Sequence, residues 1–389
     1  MVKYLPPDHP LQQVNPELKK QLERAQENLL VLHFASAGEL CSRVFQDLRI
    51  TCPIPDVLFS QPVATLADQG FSGLLVLFAD LLRAAEFPEQ TVPLHSINLA
   101  ERLQLVSAFE EPDLVLQTVQ AKVTEVVAGF PKTASDIERG RNPGDVLDPY
   151  ILAACQFLLV GGDFQLAIES TVTHKALMII EGLLGHLHED TIGMMRGNVR
   201  APEPRGVDQE TLDPLINPFP GADVVQPPWS ENRPVRFHQI KSKSGSAKGG
   251  DGKRLGEQLQ RLQNRYGGDI YYHALIGNTL RGHRSRAAVE KAAPRAVTLI
   301  GAASFQELTS SPNGAELLLR VYQTAFRSVA GTSGYRLSEM VNGIVATFQQ
   351  RAAQLGEGYL ETILRDVTTG PIENQDSRLY KSRSTRQDQ

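Results

Sequence analysis

The chain has 389 residues, of which 41% are hydrophobic and 21% are charged, values that are ordinary for a globular protein. This length excludes a small scaffold held together by disulfides or metal, and it allows two or three domains or one large core with additions. The net charge of −5 argues against a protein whose whole surface binds nucleic acid.

The cysteines and the hydropathy pattern indicate a cytoplasmic protein. Cys41, Cys52 and Cys155 are scattered and form no C-x-x-C pair, so we expect reduced thiols, with neither a disulfide framework nor a structural zinc site. The first twenty residues lack the apolar run of a secretory signal. No window of about 18 apolar residues predicts a membrane span, and we expect no membrane partner.

Hydrophobic periodicity predicts a helical first part and a mixed second part. Helices are predicted at 15–48, 73–86 and 98–129, followed by a loop at 131–148, a long helix at 166–197 and a Pro-rich loop at 200–219. Strands are then predicted at 222–225, 235–241, 270–276 and 296–300, with helices at 253–264 and 314–330 and further helices to about residue 365.

This order predicts an α/β fold, a mixed sheet core flanked by helices, with a helical N-terminal region. We expect a mainly helical region at 1–145, a core at 146–330, C-terminal helices at 331–372 and a polar tail at 373–389.

Positive charge is concentrated in one segment. Between Arg233 and Arg295, fourteen Lys and Arg residues accompany four Asp and Glu residues, a surplus of ten positive charges in an otherwise acidic chain. Such a segment indicates a local surface for a polyanion. Its glycine-rich turn is not a P-loop, because Gly252-Lys253 is followed by Arg254 and not by Ser or Thr.

Polar residues at the predicted strand ends carry the chemical signal. Two strands joined by a short connection can bring Asp223 near Lys241, and strand alternation places Gln239 and Lys241 on one face. Burying these groups together is costly unless they pair or bind a metal. Carboxylates hold Mg²⁺, which neutralises a phosphate and stabilises a leaving oxygen, while a lysine can orient the attacking water.

The segments GADVV and FHQIKSKSGS resemble the D…(D/E/Q)-x-K signature of the restriction-endonuclease-like (PD-(D/E)xK) nuclease superfamily. Asp223 matches the first acid, Gln239 takes the place of the second, and Lys241 matches the lysine. The downstream helix and the strand–helix segment at 298–309 resemble elements of type II restriction enzymes. The resemblance covers roughly 165–330, and the helical additions suit a sequence-specific enzyme such as those of the ApaLI-like group.

Gln239 departs from this pattern because it carries no charge, so the site lacks one carboxylate. Glu257, at the start of the next helix, is the favoured replacement, and Glu181, on the preceding helix, is the alternative. The resemblance also implies a neutral metal ligand, either the side-chain carbonyl of Gln239 or the backbone carbonyl of Ile240. Lys243 shares a face with Lys241 and is an alternative for the catalytic lysine, although we prefer Lys241 because it directly follows the apolar strand.

Seven further cations of the basic segment are candidates for DNA binding. They are Lys243, Lys248, Lys253, Arg254, Arg281, Arg284 and Arg286. Arginine pairs with guanine through two hydrogen bonds, so the arginines could also contact base edges. Trp229, the one tryptophan, lies between the two active-site strands, where it either packs the hairpin or touches DNA.

The resemblance implies a type II restriction endonuclease of a restriction-modification system. Asp223 and Glu257 would hold Mg²⁺, and Lys241 would position water for attack on double-stranded DNA. A palindromic target would require a two-fold symmetric homodimer. The alternatives are a repair or defence nuclease of low specificity and a non-catalytic module that binds nucleic acid, which Gln239 keeps open.

Overall fold

The computed structural model describes residues 1–139, 146–203, 211–243, 251–277, 284–309, 311–333 and 337–368. The chain divides into two compact units, each assembled from two separate segments. The first consists of Met1–Val119 with Leu184–Ala325, and the second of Gln120–Leu183 with Phe326–Gln389. This division differs from the predicted one, which cut the chain into consecutive blocks, because distant segments share a core.

Most of the described residues are helical. The α-helices are α1 Pro16–Glu27, α2 Leu30–His33, α3 Ala37–Asp47, α4 Asp56–Phe59, α5 Ala64–Ala67, α6 Phe71–Ala84, α7 Val92–Ala108, α8 Pro112–Glu138, α9 Pro149–Ala154, α10 Phe164–Gly193, α11 Asp251–Tyr266, α12 Arg284–Ala292, α13 Ala302–Thr309, α14 Gly314–Ser333, α15 Leu337–Leu355 and α16 Tyr359–Thr368. A 3₁₀-helix spans Pro10–Gln13 and a π-helical segment spans Cys155–Leu159.

The helical N-terminal region is confirmed, but two of its predicted boundaries are wrong. The helix predicted at 15–48 is three helices, the first of which begins after the Asn15 side chain caps the backbone N–H of Glu17. The loop predicted from Pro131 is helical as far as Glu138, because α8 continues through the proline. The predicted tail at 373–389 lies outside the described residues.

A five-stranded mixed sheet forms the centre of the first unit, which confirms the α/β class. Its strands are β1 Val199–Arg200, β2 Val224–Gln226, β3 Arg236–Lys243, β4 Asp269–Ile276 and β5 Val297–Ile300, in that spatial order. Strands β1, β2 and β3 pair antiparallel, whereas β3, β4 and β5 pair parallel. Helices α11 and α12 supply the crossovers that parallel neighbours require.

One face of the sheet packs against α11 and gives the first unit its core. Phe237 and Tyr272 on the strands and Leu259 on the helix are fully buried in one cluster. The spacing of Leu255, Leu259 and Leu262 puts the apolar stripe of α11 on the sheet and its charged residues outward. The three cysteines are free, as the sequence predicts.

The helices of the N-terminal segment and those of the second unit have cores of their own. Leu40, Phe78 and Leu99 are fully buried in the N-terminal cluster, and Leu152, Ile344 and Phe348 in that of the second unit. Among the described residues, every helix is too short or too polar to span a bilayer.

The turn between α11 and β4 offers a test of this packing. Gly267 and Gly268 both have positive φ angles, +66° and +80°, but a Cβ on Gly267 would meet open space, whereas one on Gly268 would overlap the Val235 carbonyl oxygen. We expect Gly267→Ala to cost about 1 kcal/mol through its left-handed backbone. Gly268→Ala should cost about 1–3 kcal/mol more, because the neighbouring strand must move. Urea unfolding of both variants measures the difference, and equal losses would contradict the packing described.

Candidate metal centre

Asp223 is placed by the register of the sheet. Val224 is opposite His238 in the antiparallel pair of β2 and β3, so Asp223, one residue earlier, is opposite Gln239. The backbone N–H of Asp223 donates to the His238 carbonyl at 2.7 Å. Its carboxylate Oδ2 accepts from the Ile240 N–H and from the Gln239 Nε2, both at 2.6 Å. Asp223 is therefore buried with one carboxylate oxygen held by β3.

Two further acids join Asp223 from different elements. Glu189 lies on the last turn of α10, and Glu203 follows β1 by three residues. One carboxylate oxygen from each of Glu189, Glu203 and Asp223 lies within 4.8 Å of the other two. Among the described residues, these three acids form the cluster that could hold a metal ion. Glu189 and Asp223 are shielded from solvent, whereas Glu203 is exposed.

Arg200 of β1 connects these acids. Its guanidinium donates to Glu189 Oε2 at 2.6 Å, to Asp190 Oδ1 at 3.1 Å and to the Asp223 backbone carbonyl at 2.8 Å, and it also contacts Glu203. The nearest Asp223 carboxylate oxygen, Oδ1, is 4.0 Å away. A planar guanidinium with five donors suits such a shared role.

The site carries more negative than positive charge. Four carboxylates surround Arg200, and Lys241 is the second cation whose charge acts on Glu189 and Asp223. When all four acids are ionised, the balance is two negative charges, which equals the charge of one divalent cation. Burial and the facing Asp223 raise the pKa of Glu189 to about 8, although Arg200 and Lys241 oppose this shift. Burial likewise raises the pKa of Asp223, against the pull of Lys241 and the Ile240 N–H.

The three neighbouring residues predicted on β3 lie at this site, but two of them make contacts other than those expected. Gln239 is buried, and its amide N–H donates to Asp223 and orients that carboxylate. The expectation had been that the side-chain carbonyl of Gln239 would bind the metal. Ile240 contacts Asp223 through its N–H, and its carbonyl lies 3.5 Å from the Gln239 amide nitrogen. Lys241, half-buried, lies where its charge acts on both buried acids.

The two predicted replacements for the missing acid are not in the cluster. Glu257 lies on the exposed face of α11, where Lys253 approaches it at 3.6 Å. Its neighbour Gln258 is the residue that turns inward, against Gly221, and successive helical side chains point about 100° apart. Glu181 lies on α10 two turns before Glu189, in the segment of the second unit. The acid of α10 that lies in the cluster is Glu189, on the same helix as the predicted Glu181.

The predicted DNA-binding cations are only partly described. Lys248 and Arg281 lie outside the described residues, as do the side chains of Lys243 and Arg284. Lys253 and Arg254 lie in the first turn of α11, near Glu257 and Asp251 respectively, each at 3.6 Å. Arg286 is bound to Glu290 at 2.7 Å and to the Thr298 hydroxyl at 2.9 Å. Exposed ion pairs of this kind are weak and can exchange for a phosphate.

Glu189 and Glu203 were missed for local reasons. Glu203 lies in a stretch predicted as loop, because a strand of two residues, β1, leaves no alternation to detect. Glu189 did have a signal in the sequence, because it lies near the end of an apolar helix and the first strand of the sheet follows soon after.

No protein-family model and no curated protein matches the chain.

The raised pKa of Glu189 predicts a pH-dependent stability. In the folded protein the pKa is about 8, above the ordinary 4.5, so the unfolded chain loses this proton first as the pH rises. Without metal, stability is therefore highest at low pH and falls by on the order of 1 kcal/mol per pH unit between about pH 5 and 8 from this group.

Glu189→Gln should remove that slope, because glutamine does not titrate, and the exposed Glu169→Gln on the same helix should retain it. Urea unfolding at several pH values, in the presence of a chelator, measures this. Identical slopes in wild-type protein and Glu189→Gln would contradict the assigned environment.

Proposed function

We propose that this protein is a metal-dependent nuclease that hydrolyses phosphodiester bonds of double-stranded DNA, in the manner of a type II restriction endonuclease. The observation that carries the proposal is the grouping of Glu189, Glu203 and Asp223 beside Lys241 at one edge of a mixed sheet. The order of elements supports it: α10, β1, β2, β3, α11 and β4 form a helix, three antiparallel strands, a crossover helix and a parallel strand.

The donor set fits Mg²⁺. This ion takes oxygen ligands at about 2.0–2.1 Å, so oxygens on opposite sides of it are about 4.2 Å apart. The carboxylate oxygens here are within 4.8 Å of one another, and rotation of the exposed Glu203 side chain would close the difference. The two surplus negative charges favour a divalent ion. A bound Mg²⁺ would neutralise the scissile phosphate and stabilise the leaving oxygen.

The chain's own groups have distinct tasks in this proposal. Gln239 and the Ile240 N–H hold Asp223 Oδ2, which leaves Oδ1 as the ligand atom. Arg200 keeps the acids together despite their mutual repulsion. Lys241 provides an ammonium that donates a hydrogen bond to the attacking water or to a phosphate oxygen. Gln239, neutral where the superfamily has an acid, is offset by Glu189 and Glu203.

The first turn of α11 supplies cations for the DNA backbone. Lys241 lies near the carboxyl end of β3, and α11 is the crossover that follows that strand, so Lys253 and Arg254 start the helix from the same edge of the sheet. Ligands of α/β sheets bind at such edges. Phosphate contacts there would position a duplex without reading its sequence.

A homodimer would allow both strands of a palindromic target to be cut. The second unit has an apolar surface available for self-association: Tyr150, Phe157, Leu158 and Leu159 are each more than 60% exposed. Exposed apolar side chains that lie together are typical of interaction surfaces, and we propose that these four contribute to the dimer interface.

Lys241→Ala tests the catalytic assignment. We expect loss of Mg²⁺-dependent cleavage of methylation-free plasmid DNA, by about 100-fold or more, because a positioned proton donor contributes this much. Duplex binding should change by less than about tenfold. The matched control is Lys291→Ala, an exposed lysine of the same basic segment, which should cleave like wild type. Full activity of Lys241→Ala would overturn the proposal, and discrete fragments as opposed to a smear would establish sequence specificity.

Glu189→Gln and Glu257→Gln distinguish the acid that lies in the cluster from the metal ligand expected from the sequence. Glu189→Gln should weaken Mg²⁺ or Mn²⁺ binding and cleavage by at least tenfold, whereas Glu257→Gln should leave both within threefold. Wild-type metal affinity should also rise with pH up to about 8, because Glu189 must lose its proton to bind. Isothermal titration with Mn²⁺ between pH 6 and 9 measures both effects. The reverse ranking of the two variants would place the metal on α11.

A further inference from the structure

The first unit contains a cavity apart from the acidic cluster. Its volume is about 350 Å³, within the range of pockets that hold small organic ligands. Its walls come from the connection between α1 and α2, from α5, from the end of α7 and from the β2–β3 connection. They are mainly apolar, and they include Leu29, Val63, Ala67, Ala108, Leu317 and Trp229.

Three polar side chains of this cavity have hydrogen-bonding groups that find no partner among the described residues. Gln104 on α7 is only 6% exposed, and both its amide nitrogen and its amide oxygen are unpaired. The Ser107 hydroxyl and the Trp229 indole N–H are buried and unpaired as well. Buried polar groups are nearly always paired in folded proteins. Three of them lining one cavity indicate that their partner is a ligand.

The wall around Trp229 is rigidly built. Gly197 has a φ of +79°, and a Cβ there would lie 2.8 Å from the indole ring, so only glycine allows this approach. The Gly197 N–H donates to Asn28 Oδ1 at 2.8 Å, and the guanidinium of Arg233 stacks 3.7 Å from the centre of the Trp229 ring. Trp229 therefore packs the hairpin, the first of its two predicted roles, and it lines the cavity with a buried N–H that has no partner among the described residues.

The charged residues at the cavity do not provide a strong anion or cation site. Arg196 uses its guanidinium on the backbone carbonyls of Asn28 and Val106. Asp68 is exposed at the rim. The unpaired groups that remain are neutral: the donor and the acceptor of the Gln104 amide, the Ser107 hydroxyl and the Trp229 indole N–H. Neutral groups of this kind select a neutral ligand.

We infer that this cavity binds a nucleobase, through the amide of Gln104 and the indole N–H of Trp229. A base is flat and has apolar faces for the aliphatic walls. Its edge carries adjacent donors and acceptors, which a glutamine amide can pair with through two hydrogen bonds, as with adenine. The base could belong to a free nucleoside or be turned out of a DNA duplex. Only the second source depends on the proposed nuclease function.

Because Trp229 is the one tryptophan of the chain, its fluorescence reports on this cavity alone. The experiment titrates the full-length protein with adenosine, guanosine, cytidine and thymidine and follows emission excited at 295 nm. We expect a saturable, one-site change for at least one nucleoside. Gln104→Met should weaken that binding at least tenfold without lowering the melting temperature, because the lost amide has no partner. The control Gln90→Met, at an exposed glutamine of the same unit, should bind like wild type.

A second arm identifies the source of the base. Duplexes carrying one 2-aminopurine are bound in Ca²⁺, and binding itself is measured separately by the anisotropy of an end label. A rise in 2-aminopurine emission that Gln104→Met abolishes would indicate a base turned out of DNA. Nucleoside binding without such a rise would indicate a free ligand. If the duplex does not bind at all, the nuclease proposal fails and the nucleoside titration still decides this one.

Two results would overturn the inference. One is the absence of a saturable change with every nucleoside, together with no rise in 2-aminopurine emission in a duplex that binds. The other is unchanged nucleoside affinity in Gln104→Met, which would place the ligand elsewhere.

Discussion

Four carboxylates share two cations around Asp223, and the arrangement of the sheet edge depends on this imbalance. A buried carboxylate without a full set of partners is costly. The protein meets part of that cost with hydrogen bonds from the Ile240 N–H and the Gln239 amide, and with the charge of Arg200 at 4.0 Å. Burial, together with the negative charge of Asp223, raises the pKa of Glu189 to about 8. Under the proposed function, a divalent cation would relieve this repulsion between the acids.

The fold assembles this site from remote parts of the chain. Glu189 comes from the end of α10, Arg200 from β1, Asp223 from the start of β2 and Lys241 from the end of β3. These positions meet because β1, β2 and β3 form an antiparallel meander, in which the start of one strand lies beside the end of the next. On the face of the sheet that carries Gln239, residues of the parallel strands are buried against α11.

The two sites of the first unit follow one physical pattern. Asp223 precedes β2 and Trp229 follows it, so the acidic cluster and the apolar cavity are at opposite ends of one short strand. Each contains buried polar groups that the chain itself leaves incompletely matched. The acids around Asp223 lack enough positive charge to balance them, whereas the amide of Gln104 lacks hydrogen-bond partners. The missing positive charge at Asp223 suits a metal ion, and the missing hydrogen bonds at Gln104 suit a neutral base.

Sequence alone determined the α/β class, the approximate positions of α10, β3, α11 and β4, and the closeness of Asp223 to Lys241, whose charge acts on that acid. These follow from hydrophobic periodicity and from polar residues at strand ends, which are local properties. Tertiary structure decided which acids complete the site. β1 has two residues and no detectable pattern, and the inward-facing residue on α11 is Gln258 and not Glu257. Which side chain faces a site depends on the rotation and register of packed elements, and these are set by contacts between residues far apart in the chain.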